Sequence, residues 1–255
     1  MYDPPAYVWA LTIAGPSAIA AAACIALYSG ANRADLGRGR AALLGGATAA
    51  LLGGWFIATS VIAGHGWYNT LPNQLPWDSV AAAGFLGTLL VLSRVPVVAH
   101  ALAAPGMARS LVLPHSFRVA GIFFLLYLAL GHLPPPFALP AGLGDIAAGI
   151  TAPIVARKLA QGSGRRAASW FNVYGLTDLA VGLTLGALSG FRLINVSPSV
   201  APIGQLPLAL IITAAVPLMI ALHITSLLAL SRVPRPARPA AGPLTSSARA
   251  VGGQA

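Results

Sequence analysis

Long stretches of apolar residues run along this chain, separated by short segments that carry Arg, Pro and Gly. Runs of about 18 or more apolar residues read as transmembrane helices, because that length crosses the hydrocarbon core of a bilayer. The pattern predicts helices at about 7–29, 41–64, 78–103, 117–134, 139–156, 168–188 and 205–231. The expected architecture is therefore all-α, a polytopic transmembrane helical bundle of seven spans over residues 1–231. The third run is interrupted by Arg94 and Pro96, and its remainder, 95–104, also fits a segment lying along the membrane surface. Residues 232–255 are rich in Pro, Ala, Gly and Arg and read as a disordered basic tail.

Composition sharpens this picture. The chain has 255 residues, 57% hydrophobic and 8% charged. A soluble domain carries about 25% charged residues, so this chain cannot cover a soluble surface. Its net charge of +10 does not point to nucleic acid, because the cations sit between the apolar runs. There they read as topology signals and lipid-headgroup contacts. With seven spans, all Lys and Arg except Arg192 fall on one side. The positive-inside rule then sets the N-terminus outside and the C-terminus in the cytoplasm. The single cysteine, Cys24, excludes an internal disulfide. The segment before the first run has no Lys or Arg, so that run reads as a retained helix.

Only five residues are acidic, all of them Asp. Two lie in the most apolar part of the chain and in the same local context. Gly-Leu-Gly-Asp-Ile-Ala-Ala-Gly-Ile-Thr, from Gly142, matches Gly-Leu-Thr-Asp-Leu-Ala-Val-Gly-Leu-Thr, from Gly175, at six of ten positions. Asp145 precedes Arg157 by 12 residues and Asp178 follows Arg166 by 12. Each carboxylate therefore lies about 18 Å from its cytoplasmic Arg, near mid-depth. The two copies run in opposite directions through the membrane, as in the inverted repeats of transporters. Gly142, Gly149, Gly175, Gly182 and Gly186 share the Asp faces at helical spacing and are expected to form smooth helix-packing surfaces. A charge facing lipid is costly, so both Asp should face protein or trapped water. Two adjacent carboxylates in low dielectric do not both ionise, and the pair is expected to share a proton. A structural role through hydrogen bonds, and an N-cap role for Asp145 behind Pro140, are the other readings of the same residues.

His223 lies nine residues before Arg232, and Tyr127 nine after Arg118. Both reach similar depth and are candidates to complete a proton-binding cluster with Asp145 and Asp178, with His223 as a relay. Pro217 in the His223 helix is expected to kink it and free a carbonyl. No metal-ligand spacing appears, the His residues do not form a haem pair at depth, and the only Lys, Lys158, sits at a helix end, away from any retinal position. No cofactor is expected. The expected partners are the lipid bilayer, protons and a small-molecule substrate, and seven spans leave room for a homodimer.

Two resemblances add to this reading. Gly142-Leu143-Gly144-Asp145 resembles the G-x-G-D motif of intramembrane aspartyl proteases. That resemblance implies Asp145 and Asp178 as a catalytic dyad, one activating water and the other donating a proton. The chain departs from that family in helix order, in the context Leu176-Thr177-Asp178, and in lacking its later Pro-Ala-Leu, for which Pro207-Leu208-Ala209-Leu210 is only similar. The stretch from Phe117 to Leu188 resembles uncharacterised multi-pass bacterial membrane proteins and implies a location in the bacterial plasma membrane. Depth-matched carboxylates in an inverted repeat point first to a proton-coupled carrier or channel for a small molecule. A di-aspartyl membrane enzyme and a structural or assembly subunit are the alternatives.

Overall fold

The computed structural model describes residues 4–69 and 75–232; the basic tail expected at the C-terminus lies outside the described residues. Among the described residues every regular element is helical. Two long helices come first, α1 (Ala6–Arg33) and α2 (Arg38–Gly64). A third span starts as α3 (Trp77–Leu92) and breaks into α4 (Pro96–Leu102), which turns away by 83°. The cause is local. Pro96 takes the first helical position of α4, and Val95 before it is held extended at φ −58°, ψ 131°. Helices α5 (Met107–Val112) and α6 (Ile122–Ala129) flank a 3-10 segment, Leu113–Gly121, in one continuous rod. Then come α7 (Pro135–Ala160), α8 (Arg165–Gly190), a π-helical turn at Ile211–Ala215, and α9 (Val216–Arg232). Six helices are long and apolar enough to cross a membrane, or seven if the bent α3–α4 pair counts as one, which marks the chain as a membrane protein.

Short antiparallel connections leave the bundle with two ends. The near end holds the start of α1 and the segments 65–69, 75–76, 130–134 and 191–210; the far end holds 34–37, 93–106, 161–164 and Arg232. The last span is the central post, with 72% of its most apolar window buried against 11% for α2. Exposed Leu43, Ile57, Val61, Leu143, Ile150 and Val181 form an apolar outer surface suited to lipid.

One boundary differs from expectation and matters most. The fourth helix spans 107–129, not 117–134. It stops at Gly131, whose φ of +76° only glycine adopts freely, ahead of the Pro134-Pro135-Pro136 run. It starts ten residues earlier because the Leu113–Gly121 stretch winds as a 3-10 helix through Pro114 instead of forming a loop. Arg118 consequently lies within the rod and is buried, where the sequence reading placed it at the cytoplasmic surface.

The π-turn has its own logic. Pro217 has no N–H, so the carbonyl of Thr213, four residues earlier, loses its helical donor. Trp55 Nε1 donates to that carbonyl at 2.8 Å, and the Thr213 hydroxyl is bonded to Thr59 at 2.7 Å. The free carbonyl expected from Pro217 is thus used to fasten α2 to the central post. Trp55→Phe should cost about 1–2 kcal/mol, since the ring still stacks on Phe85 but the carbonyl is orphaned. Thermal unfolding in detergent micelles would show it, and an unchanged midpoint would mean that water or another group takes over.

Candidate functional site

A 3-10 helix repeats every three residues, so residues three apart stack along one edge. In the Leu113–Gly121 segment this brings His115, Arg118 and Gly121 onto the buried side, while Phe117 and Val119 point outward. An α-helix would fan the three residues apart. Against this edge packs α7, whose neighbour in turn is α8. The 3-10 edge meets α7 at least as intimately as α8 does, so the expected pairing of the fifth and sixth spans is only one side of a three-way junction.

Glycines make that junction close. A methyl at Gly121 would collide with Asp145, one at Gly144 with the Asp178 carboxyl, and one at Gly175 with the His223 ring. Gly142 and Gly149 meet Leu125 and Val119 in the same way. Gly182 and Gly186 have more room. A Cβ at Gly182 would meet nothing within 4 Å, and one at Gly186 only the edge of Phe137 at 3.5 Å. Beyond Asp178 the glycine face of α8 borders open space at Gly182 and meets α7 only through the Phe137 ring at Gly186.

Into the junction reaches Arg118, with a side chain that is 0% exposed. Its Nε and Nη2 both lie 2.7 Å from Asp145 Oδ1, and Nη2 donates to Asp178 Oδ2 at 2.6 Å. The carboxylates of the two repeat copies therefore meet on one guanidinium. A shared cation stands where the sequence reading put a shared proton. Asp145 sits in the third turn of an unbroken α7 that starts at Pro135, which corrects the capping reading.

The third guanidinium nitrogen, Nη1, lies 3.3 Å from His223 Nε2. Guanidinium nitrogens only donate, so Nε2 accepts and carries no proton. His223 Nδ1–H then donates to Asn172 Oδ1 at 2.9 Å. The Asn172 amide nitrogen donates onward to Ser226 Oγ at 3.0 Å and to the Ala168 carbonyl at 2.8 Å. This is a single-tautomer chain from α8 through α9 to the Arg118 hub. His115 stacks on His223 with ring centroids 3.8 Å apart, and neither of its ring nitrogens has a hydrogen-bond partner among the described residues. Tyr174 Oη donates to the Gly144 carbonyl at 3.4 Å. Tyr127 lies nine residues beyond Arg118, about 15 Å along the rod, buried beside Phe123 and Phe124. It belongs to the apolar core layer above the hub.

A cavity of about 660 Å³ runs from the near end down to Asp145 and Asp178. Its upper rim includes Asn69, Asp78, Arg192 and Asn195. Its walls are largely apolar and include Phe124, Phe137, Leu179, Leu183 and Met219. Gly182 and Gly186 are part of its lining. The side chains of Asp145 and Asp178 are 10% and 12% exposed, whereas that of Arg118 is not exposed. The carboxylates thus face the cavity and the guanidinium stands behind them. Among the described residues no cluster of metal-ligating side chains occurs.

Arg118, Asn172, His115, Ser226 and Gly121 complete this site and were not singled out by sequence reasoning, whereas Gly144 entered only through the G-x-G-D resemblance. A family model described as "Domain of unknown function (DUF8737)" matches residues 75–231, which include every residue of the hub. No curated protein and no solved structure matches the chain.

Proposed function

The chain belongs to the DUF8737 family, and we propose that it is a proton-coupled carrier of a small molecule in the bacterial plasma membrane. The observation that carries this reading is the cavity floored by Asp145 and Asp178. Two carboxylates against one guanidinium leave one negative charge uncompensated in a water-poor site. A proton or a bound cation balances it. Intramembrane ionisable groups facing a cavity are the usual proton-coupling elements of carriers. The antiparallel α7 and α8, each supplying one Asp from the same short repeat, give the hub an inverted-repeat geometry of the kind on which alternating access is built.

With α3 and α4 taken as one bent span, the chain crosses seven times. Of the described cations, Arg33, Arg38, Arg40, Arg94, Arg109, Arg157, Lys158, Arg165, Arg166 and Arg232 gather at the far end, Arg192 alone is at the near end, and Arg118 is in the middle. Removing Arg118 from the cytoplasmic tally leaves the positive-inside bias intact. The far end is then cytoplasmic, and the cavity opens outward.

The G-x-G-D protease resemblance is less well supported. A catalytic dyad holds a water between its carboxyl groups, and here Arg118 fills that place.

The test is substrate-dependent proton movement in proteoliposomes with a trapped pH dye, screened over amines, organic acids and neutral polyols. Wild type should show it for at least one class. The double variant Asp145→Asn with Asp178→Asn should show none. Proton-linked flux that survives both substitutions would falsify the reading. Lowered stability with flux untouched in the surviving protein would assign the pair a structural role.

A further inference from the structure

Resting on the carrier reading above, we propose that the cavity selects a monovalent organic cation, an ammonium group on an apolar body, and takes it up in exchange for one proton. The sign of the charge follows from which atoms the cavity exposes. Its floor presents the carboxylate groups of Asp145 and Asp178, while Arg118 has no exposure. An anion would meet two carboxylates before any cation. At the rim Asp78 and Arg192 offer one charge of each sign, so the rim does not choose and the floor does.

Charge accounting sets the valence and the exchange. The groups that face the floor are Asp145 on α7, Asp178 and Tyr174 on α8, Arg118 on the 3-10 segment, and His223 on α9, with His115 stacked behind His223. Tyr174 is a neutral donor here, and His223 is fixed neutral by accepting from Arg118 and donating to Asn172. The sum is one negative charge. One proton on a carboxyl neutralises it when the cavity is empty, and one ammonium neutralises it when the cavity is filled. Binding therefore displaces the proton: a protonated carboxyl plus an ammonium gives a carboxylate–ammonium pair plus a released proton.

The apolar body follows from the walls. Phe137 lies against Gly186, eight residues and about 12 Å above Asp178 along α8, and its ring is T-stacked on Phe124 at 5.6 Å. Both rings line the cavity. A volume of about 660 Å³ lies in the range of small-molecule sites, roughly 300–1,000 Å³. The glycine face of α8 keeps this space open.

The full chain in lipid nanodiscs, titrated calorimetrically with three isosteric probes, tests this. The probes are phenylbutylammonium, the neutral phenylbutanol and the anion phenylbutanoate, with empty nanodiscs subtracted. The ammonium should bind at least about tenfold more tightly than the alcohol, a difference of about 1.4 kcal/mol, and the anion should not bind. Titration in two buffers of different protonation enthalpy should show about one proton released per ammonium bound. Asp178→Asn should weaken ammonium binding at least about tenfold, and Asp35→Asn, at the far end, should leave it unchanged. The wild-type ranking needs no variant to fold. Equal binding of the three probes, preference for the anion, or binding of none overturns the cation assignment. The two readings fail separately. Ammonium binding with no proton released and no proton movement in liposomes keeps the cation site and removes the exchange. Proton movement driven by neutral or anionic solutes keeps the carrier and removes the cation class.

Discussion

Replacing Arg118 with Gln should cost the fold roughly 3–5 kcal/mol, the range for breaking a buried ion pair by removing one partner. Arg118 is the only cation at the centre of the bundle among the described residues, and two carboxylates close on it at 2.6–2.7 Å. Glutamine leaves both of them facing each other across a gap with no compensating charge. It also removes the donor to His223 Nε2, so the Asn172–His223 chain loses its anchor. Arg118→Lys should rescue little. A lysine offers one compact ammonium, whereas the guanidinium fork serves Asp145, Asp178 and His223 in three divergent directions. The triple variant Arg118→Gln, Asp145→Asn, Asp178→Asn should recover much of the loss, because it removes the charges together. Thermal unfolding in detergent micelles measures all three. If Arg118→Gln alone melts like wild type, the hub does not hold α7 and α8 to the 3-10 segment.

That hub was half legible in the sequence. Apolar run length carries the helices, because bilayer thickness fixes how long a span must be, and the repeat around Asp145 and Asp178 points to two carboxylates at one level, which meet on Arg118. Neither depends on which helices touch. Arg118 was misplaced because Leu113-Pro114-His115-Ser116 interrupts the apolar run and looks like a loop. A 3-10 turn tolerates Pro114 and keeps the rod continuous, and local composition does not distinguish the two. The stop signal was readable: Gly131 followed by three prolines ends the helix near Leu130, and counting a span back from there puts Arg118 inside it. His223 reaches the hub, but its partners Asn172 and His115 come from other helices, and adjacency of helices is not written in either one's periodicity. The glycine faces show the same limit. Spacing shows that Gly142, Gly175 and Gly182 lie on the Asp sides, yet only the neighbour decides whether such a face meets a leucine side chain, a His ring or a cavity. The bend of the third span did have a local sign, in Pro96 and its extended predecessor.

Those faces give a contrast that separates stability from binding. Gly175→Ala and Gly144→Ala each drive a methyl into a hub side chain, His223 in one case and Asp178 in the other. The outcomes should differ because the displaced groups have different places to go. His223 is 0% exposed, sandwiched against His115 and tied to Asn172 and Arg118, so its ring cannot retreat. Overpacking costs about 1–3 kcal/mol in a tight core, and the broken Asn172 and Arg118 contacts add to it. Gly175→Ala should therefore lose folded protein, by about 3 kcal/mol or more. Asp178 borders the cavity and can swing into it. Gly144→Ala should keep most of the fold, since Asp145 still holds Arg118, but it should part Asp178 from the guanidinium and disturb the cavity floor. Cation binding and proton-linked flux should then drop about tenfold or more while the melting temperature moves little. Gly182→Ala, which meets open space, should change stability by less than about 0.5 kcal/mol. Melting curves and probe binding on the same three proteins decide the matter. If Gly144→Ala and Gly175→Ala lose stability equally and Gly144→Ala retains full binding, then Asp178 is a structural prop of α8 rather than the floor of a working site.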